Sequence, residues 1–278
     1  NETDILKDCE RVISQFHDDS PNAMIKIALA PCSPFSVSND LMSQTAVLAR
    51  ENDLCMHTHL AENSEDVEYS LEKFNMRPGE YAESLGWLGD DVWHAHCVKL
   101  DSAEVKLFGK TNTGIAHCPS SNMRLASGIA PLLEMLENNV RVGLGVDGSS
   151  SNDSGHMLNE ARQAMLLQRV KHSASVIGAR DVLRTATRGG AEVLRRGNIG
   201  QIAPGFMADI AIYDMQSVDL AGTHTDPLAA LVFCGPIKTT HTVINGNLVV
   251  KHGQLTTMDL NALLQKHRKL SVELVNSA

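Results

Sequence analysis

Five of the twelve histidines, His57, His59, His94, His96 and His117, fall within one stretch of 61 residues. Neutral imidazole binds divalent metals and relays protons, so a cluster of this kind points to metal-assisted or acid–base chemistry. Glu62 follows His59 by three residues. A carboxylate at that spacing can serve the water of a histidine-bound metal without itself being a ligand. It has an equally plain reading as the first-turn carboxylate of a following helix. Asp147 ends the apolar run 140–146, which is too apolar for an unpaired carboxylate. It must meet a metal, a cation or several hydrogen-bond donors. Taken singly, His57, His94 and His117 are expected to be structural residues.

Several other chemistries fail on the residues themselves. Gly143, Gly145 and Gly148 match GxGxxG, yet Asp147 inside that loop would repel a pyrophosphate. There is no HExxH, no GxSxG and no GxxxxGK[ST]. Nor is there an HxE with PCxxC, the signature of deaminases whose zinc is held by cysteines.

The segments around these residues say what positions them. Helical spacing of apolar residues is expected at 5–17, 40–52, 64–86, 102–110 and 129–138. Short apolar runs at 25–31, 53–58, 91–98, 112–117 and 140–146 predict buried strands between them. This α/β alternation suits parallel βα units. Polar residues sit where strands end, at Ser33, His59, His96, His117 and Asp147. Side chains from several strands gathered at one C-terminal mouth favour a (β/α)8 barrel over an open sheet. Beyond residue 200 the texture changes to a turn-rich antiparallel one, with Asn-Gly hairpin chemistry at 245–246, and a terminal helix closes the sequence.

With 33 acidic against 24 basic residues the net charge is −9, and no basic cluster exceeds a pair. A phosphate-backbone partner is therefore a poor expectation. No apolar run reaches the roughly 20 residues of a membrane-spanning helix and no signal-like segment opens the sequence, so a cytoplasmic protein without membrane contact is expected. The six cysteines lack CxxC spacing and are expected to be reduced and buried.

The series HTHLAE (57–62), WHAHC (93–97), HCPSSNMRLASG (117–128), GLGVDGSSSND (143–153) and IGQIAPGFMADIAIYD (199–214) resembles the amidohydrolase superfamily, in its branch of mononuclear-zinc aminohydrolases. Within that branch APCSPFS (30–36), the 117–128 segment and the helix 160–170 are most similar to the group that deaminates 8-oxoguanine, isoxanthopterin and hydroxyatrazine. The resemblance implies a zinc-dependent hydrolytic deaminase of an oxidised purine or related heterocycle, with one Zn2+ per subunit. Hydroxytriazines and isoxanthopterin are the alternative substrates.

By resemblance His59 and Asp147 would be zinc ligands, Glu62 the proton shuttle and His96 a hydrogen-bonding partner of the attacking water. Asp147 would also take a proton from that water, and Ser121, Asn122 and Arg124 would line the substrate pocket. Family members also carry an HxH pair on their first barrel strand. The two such pairs here, at 57–59 and 94–96, belong by their flanking motifs to the family's strands five and six.

The sequence, which opens Asn-Glu-Thr, is therefore expected to hold barrel strands four to eight over 1–198, β-sandwich strands over 199–256 and a helix over 257–278. It would lack an N-terminal barrel segment with two zinc ligands, and residues 1–278 alone are expected to be inactive. A homodimer is a family expectation. The reading from a different class is a non-catalytic, incomplete barrel with an association role and structural histidines.

Overall fold

The computed structural model describes residues 1–277. In chain order it contains α1 (Glu2–Phe16), β1 (Ala28–Leu29), α2 (Asn39–Glu51), β2 (Cys55–Leu60), α3 (Ser64–Phe74), α4 (Pro78–Ser84), β3 (Val92–His96), α5 (Ser102–Thr111) and β4 (Gly114–His117). Then follow α6 (Pro119–Arg124), α7 (Leu132–Glu137), β5 (Arg141–Leu144), α8 (Met157–Lys171), α9 (Ala179–Arg184), a π-helical turn at Thr185–Gly189 and α10 (Gly190–Val193). The remainder is β6 (Ile210–Ile212), α11 (Pro227–Phe233), β7 (His241–Ile244), β8 (Asn247–Lys251), β9 (Gln254–Leu255) and α12 (Leu260–Ser277).

Strands β1 to β5 form one parallel sheet whose spatial order is the order of the chain. A doubly wound open sheet reverses its strand order at a switch point, whereas continuous winding in one direction is how a (β/α)8 barrel is built. The expected α/β barrel class is the one observed, with β6 to β9 forming a separate antiparallel sheet. The core lies between the parallel sheet and its helices. It joins Leu54, Met56, Val92, Ile115 and Val142 from around the strands to Met42, Phe108, Met135 and Met165 from the helices.

Glycine permits the closest approach in this layer. A Cβ on Gly189 would lie 2.0 Å from the carbonyl oxygen of Val142, so the π-helical turn can press onto β5 only without a side chain there. Residues 199–256 hold more than strands: α11 lies on α8 and α9, with Ala230 and Val232 buried and the Arg162 guanidinium on the carbonyls that end α11. α12 buries none of its residues.

The expectation of buried cysteines is corrected in part. None is paired, and Cys97 and Cys118 are buried, but Cys32 and Cys234 are exposed because each lies in a connection beyond the end of an element. Among the described residues no helix is long and apolar enough to cross a membrane.

Candidate metal and acid–base centre

Strand alternation accounts for which histidines reach the mouth. Along β2, Cys55, His57 and His59 face one way, half-buried, while Met56, Thr58 and Leu60 are buried on the other. The register pairs His57 with Trp93 and His59 with Ala95 of β3, so His94 faces the helices instead. It is sealed between Trp87 and Phe108 and its Nε2 lies 2.9 Å from the carbonyl of Trp87. Burial lowers its pKa to about 4. His57 stacks on Trp93 at 5.2 Å between ring centroids, and burial followed by the neighbouring His59 lowers its pKa to about 4 as well. His117 is enclosed with both ring nitrogens unpartnered, and its pKa too is lowered to about 4, by burial first. None of the three belongs to the one group of His, Cys, Asp and Glu side chains among the described residues that could hold a metal ion.

His96 should follow His94 to the helix side, but it does not. Its φ is +68° and that of Cys97 is +52°, two consecutive left-handed residues that each cost on the order of 1–3 kcal/mol. The turn is held by Cys97 N–H donating to the carbonyl of Leu60 at 3.1 Å and by Lys99 N–H donating to that of Ala61 at 2.9 Å. The ring consequently stacks on His59 at 5.3 Å while remaining 1% exposed. Asp147, three residues beyond β5, is also left-handed, with φ +61°.

His59, His96 and Asp147 each present an atom such that all three lie within 4.8 Å of one another. The Nδ1–H of His59 donates to the carbonyl of Cys32 at 2.6 Å, which leaves Nε2 with its lone pair free. Ser121 and Ser151 donate to the same oxygen of Asp147, Oδ2, at 2.6 and 2.7 Å. Burial pushes the Asp147 carboxyl up, but these two hydroxyls and the Gly148 N–H outweigh it and hold the group below the ordinary carboxylate range. One free imidazole nitrogen and one carboxylate that stays ionised form a donor set that suits zinc.

Glu62 precedes α3 rather than lying in its first turn. Ala61 is left-handed at φ +50°, Asn63 caps the helix by accepting from Asp66 N–H, and Glu62 N–H donates to Asp66 at 2.8 Å. The Glu62 carboxylate therefore turns into the mouth, with Oε2 3.7 Å from His96 Nε2 and Oε1 accepting from Ser127 at 3.1 Å.

The pocket residues inferred by resemblance divide. All three lie on helix α6, where Ser121 and Asn122 are 0% exposed. Ser121 bonds Asp147, and the Asn122 Oδ1 lies 2.9 Å from His96 Nδ1. Arg124 instead pairs with Asp153 at the surface. Sequence reasoning missed Cys32, Ser127 and Glu160. Glu160, 0% exposed on α8, accepts from Ser120 N–H at 3.1 Å and from Asn152 at 2.7 Å, and Asn152 also donates to the carbonyl of Val146. Its spacing was the available signal, because Glu160 is four residues before Ala164 and eight before Gln168 on the buried face of α8.

Beside His59 lies a narrow pocket, with room for about one water molecule, lined by Phe35, Asp66, Tyr69, Phe74 and Tyr81. Its rings form a chain, with Phe35 edge-on to Tyr69 at 5.9 Å and Phe74 stacked on Tyr81 at 3.9 Å. Four of the eleven Phe, Trp and Tyr residues of the chain are gathered here.

Comparison with known proteins agrees with this geometry. The model of the amidohydrolase family matches residues 1–249. The chain is 43% identical over 271 residues to 8-oxoguanine deaminase of Pseudomonas aeruginosa, covering 98% of this chain and 60% of that protein. It is 35% identical over 289 residues to an isoxanthopterin deaminase from an unknown prokaryotic organism, covering 97% and 59%. The crystal structure of atrazine chlorohydrolase from Arthrobacter aurescens TC1 complexed with zinc superposes with a TM-score of 0.93 at 33% identity, covering 97% of this chain and 60% of that one. The chain thus spans about three-fifths of the length of these relatives. On the strength of a match over nine-tenths of its length, the chain belongs to the amidohydrolase family.

Proposed function

We propose that this chain carries the zinc-binding and proton-transfer half of a hydrolytic deaminase that releases ammonia from an oxidised purine of the 8-oxoguanine kind. The observation that carries the reading is the convergence of His59, His96 and Asp147 within 4.8 Å, with Glu62 at 3.7 Å from His96. The 43% identity to 8-oxoguanine deaminase supports the substrate class.

In this reading His59 Nε2 and Asp147 would hold one zinc ion, with two further ligands expected from the His-x-His pair that the family resemblance implies. Zinc, when bound, supplies the Lewis acidity that brings the pKa of water from 15.7 towards 7. His96 Nε2 orients the attacking water against the ring. Glu62 accepts a proton from that water at Oε2 and passes it to the ring nitrogen beside the attacked carbon. The oxygen–carbon bond forms as the carbon–nitrogen double bond opens. Asp147 takes the second proton from the hydroxyl now on the carbon and passes it to the exocyclic nitrogen, so that the carbon–oxygen double bond forms as the carbon–nitrogen bond breaks and ammonia leaves.

Related enzymes named for isoxanthopterin and hydroxydechloroatrazine keep pterins and hydroxytriazines as the second reading. Steady-state ammonia release from 8-oxoguanine, isoxanthopterin and hydroxyatrazine by the whole zinc-loaded protein separates them, with 8-oxoguanine expected to have the highest kcat/KM. No ammonia from any oxopurine would sink the leading substrate, and zinc-free protein from chelator-free preparations would sink the deaminase.

A further inference from the structure

One short segment reaches three different site groups. Ser121 donates to Asp147 at 2.6 Å, Asn122 meets His96 at 2.9 Å, and Ser127 donates to Glu62 at 3.1 Å. The segment closes on itself, since the N–H groups of Ser127 and Gly128 both donate to the carbonyl of Asn122. It is also tethered from behind: buried Glu160 accepts from Ser120 N–H with one oxygen and from Asn152 with the other. Asn152 belongs to the loop that follows Asp147, so one carboxylate ties α6 to the segment carrying that aspartate.

We propose that residues 121–127 form a clasp that sets the orientation and proton placement of the centre, Asn122 and Ser127 being positioning residues for His96 and Glu62. The proposal rests on the deaminase reading for its kinetic consequence but not for its structural one. Asn122 presents its carbonyl oxygen to His96, and a carbonyl oxygen only accepts. The imidazole proton is thereby placed on Nδ1, and Nε2, the nitrogen facing Glu62, keeps its lone pair for a water proton. Ser127 occupies Oε1 of Glu62, which fixes the rotamer in which Oε2 faces His96. Nothing else among the described side chains bonds either group from this side, and Ser127 is 3% exposed, so water does not substitute for its hydroxyl.

The test uses the whole enzyme with zinc. Asn122→Ala, Ser127→Ala and Ser127→Thr are compared with Ser120→Ala, whose hydroxyl is buried on the same helix without a partner. Nitrogen NMR of 15N-histidine-labelled protein is expected to show His96 protonated at Nδ1 in the parent and a mixture of tautomers in Asn122→Ala. Loss of either partner is expected to lower kcat by about 10–100-fold with KM within threefold, the range typical of groups that orient reacting side chains. Ser127→Thr is expected to recover most of the loss, and Ser120→Ala to stay within twofold of the parent.

A parent His96 protonated at Nε2, an unchanged tautomer in Asn122→Ala, or equal losses in Ser120→Ala and Ser127→Ala would each overturn the clasp. Should Asn122→Ala not fold, the parent tautomer and the Ser127 pair decide. Should the parent deaminate no heterocycle, the deaminase reading fails while the tautomer measurement still decides the clasp.

Discussion

The two ends of the parallel sheet are built to opposite rules. At its N-terminal end several charged donors are tied to the strand ends. Arg141 at the start of β5 donates to the carbonyls of Asn112, Glu192 and Asp90 at 2.7, 2.6 and 2.9 Å. Arg50 pairs with Asp91, and Arg195 with Asp53. These ties join the residues that lead into β2, β3 and β4 to α2, to β5 and to the turn that follows α10. At the C-terminal end each site group is held through one of its polar atoms, Asp147 by two hydroxyls on Oδ2, and the other polar atom of each of His59, His96, Glu62 and Asp147 is left to face the mouth. The backbone there is left-handed at Ala61, His96, Cys97 and Asp147. Stability and chemistry are thus separated along one strand length, as barrel enzymes separate them.

The sharpest way to break that division is a substitution at the mouth that harms stability as much as activity. Glu62→Gln is expected to lower kcat by about 10²–10⁴-fold, the usual worth of a positioned proton carrier. Thermal scanning should find its melting temperature within about 2 °C of the parent, and metal analysis should find zinc retained. At the other end Arg141→Ala is expected to cost about 2–4 kcal/mol of stability, since three carbonyls lose a charged donor. Urea unfolding measures the cost, and kcat per folded molecule should stay within twofold. A tenfold fall in kcat there would mean the two ends are coupled.

Acidity sharpens the comparison from a third place, the helix face of the sheet. His94 is buried neutral with its pKa lowered to about 4, whereas an unfolded chain takes up a proton on the same ring near 6.5. Between those values the unfolded state binds more protons, so the contribution of His94 to stability is complete above pH 6.5. It falls away as the pH drops towards 4, by up to about 3 kcal/mol. His94→Gln is expected to flatten that limb of the stability–pH curve, and an unchanged slope would contradict the assignment. The smallest effect is expected at the aromatic pocket: Phe35→Ala should cost about 1 kcal/mol of stability in urea unfolding, the worth of its edge contact with Tyr69, with kcat near the parent value.

Much of this architecture was legible from residue patterns. Apolar runs bounded by polar residues located all five parallel strands, and the residue types at their ends located His59, Glu62, His96 and Asp147. What the pattern could not carry was direction. His94 and His96 share a spacing of two, which in an ideal strand puts both on one face. Only the left-handed turn at His96 and Cys97, pinned by the β2 end, sends one to the helices and the other to the mouth. Family resemblance puts Ser121 and Asn122 in the pocket lining, since resemblance carries no side-chain direction. In the structure α6 turns both inwards, onto Asp147 and His96. A backbone carbonyl such as that of Cys32, which sets the proton on His59, leaves no mark in a list of side chains.

The stacked pair of Trp93 and His57 has an optical consequence. The chain has two tryptophans, and Trp87 is sealed in the core with its indole N–H on the carbonyl of Met42. Trp93 lies half-buried on the inner face of the sheet, one residue from His94 and ring to ring with an imidazole. Intrinsic emission therefore comes from two separate places: the Trp87 signal follows global unfolding, and the Trp93 signal, exposed to quenching by its imidazole neighbour, follows events on the inner wall. A Trp93→Phe protein isolates the first, and the difference spectrum isolates the second without any attached dye.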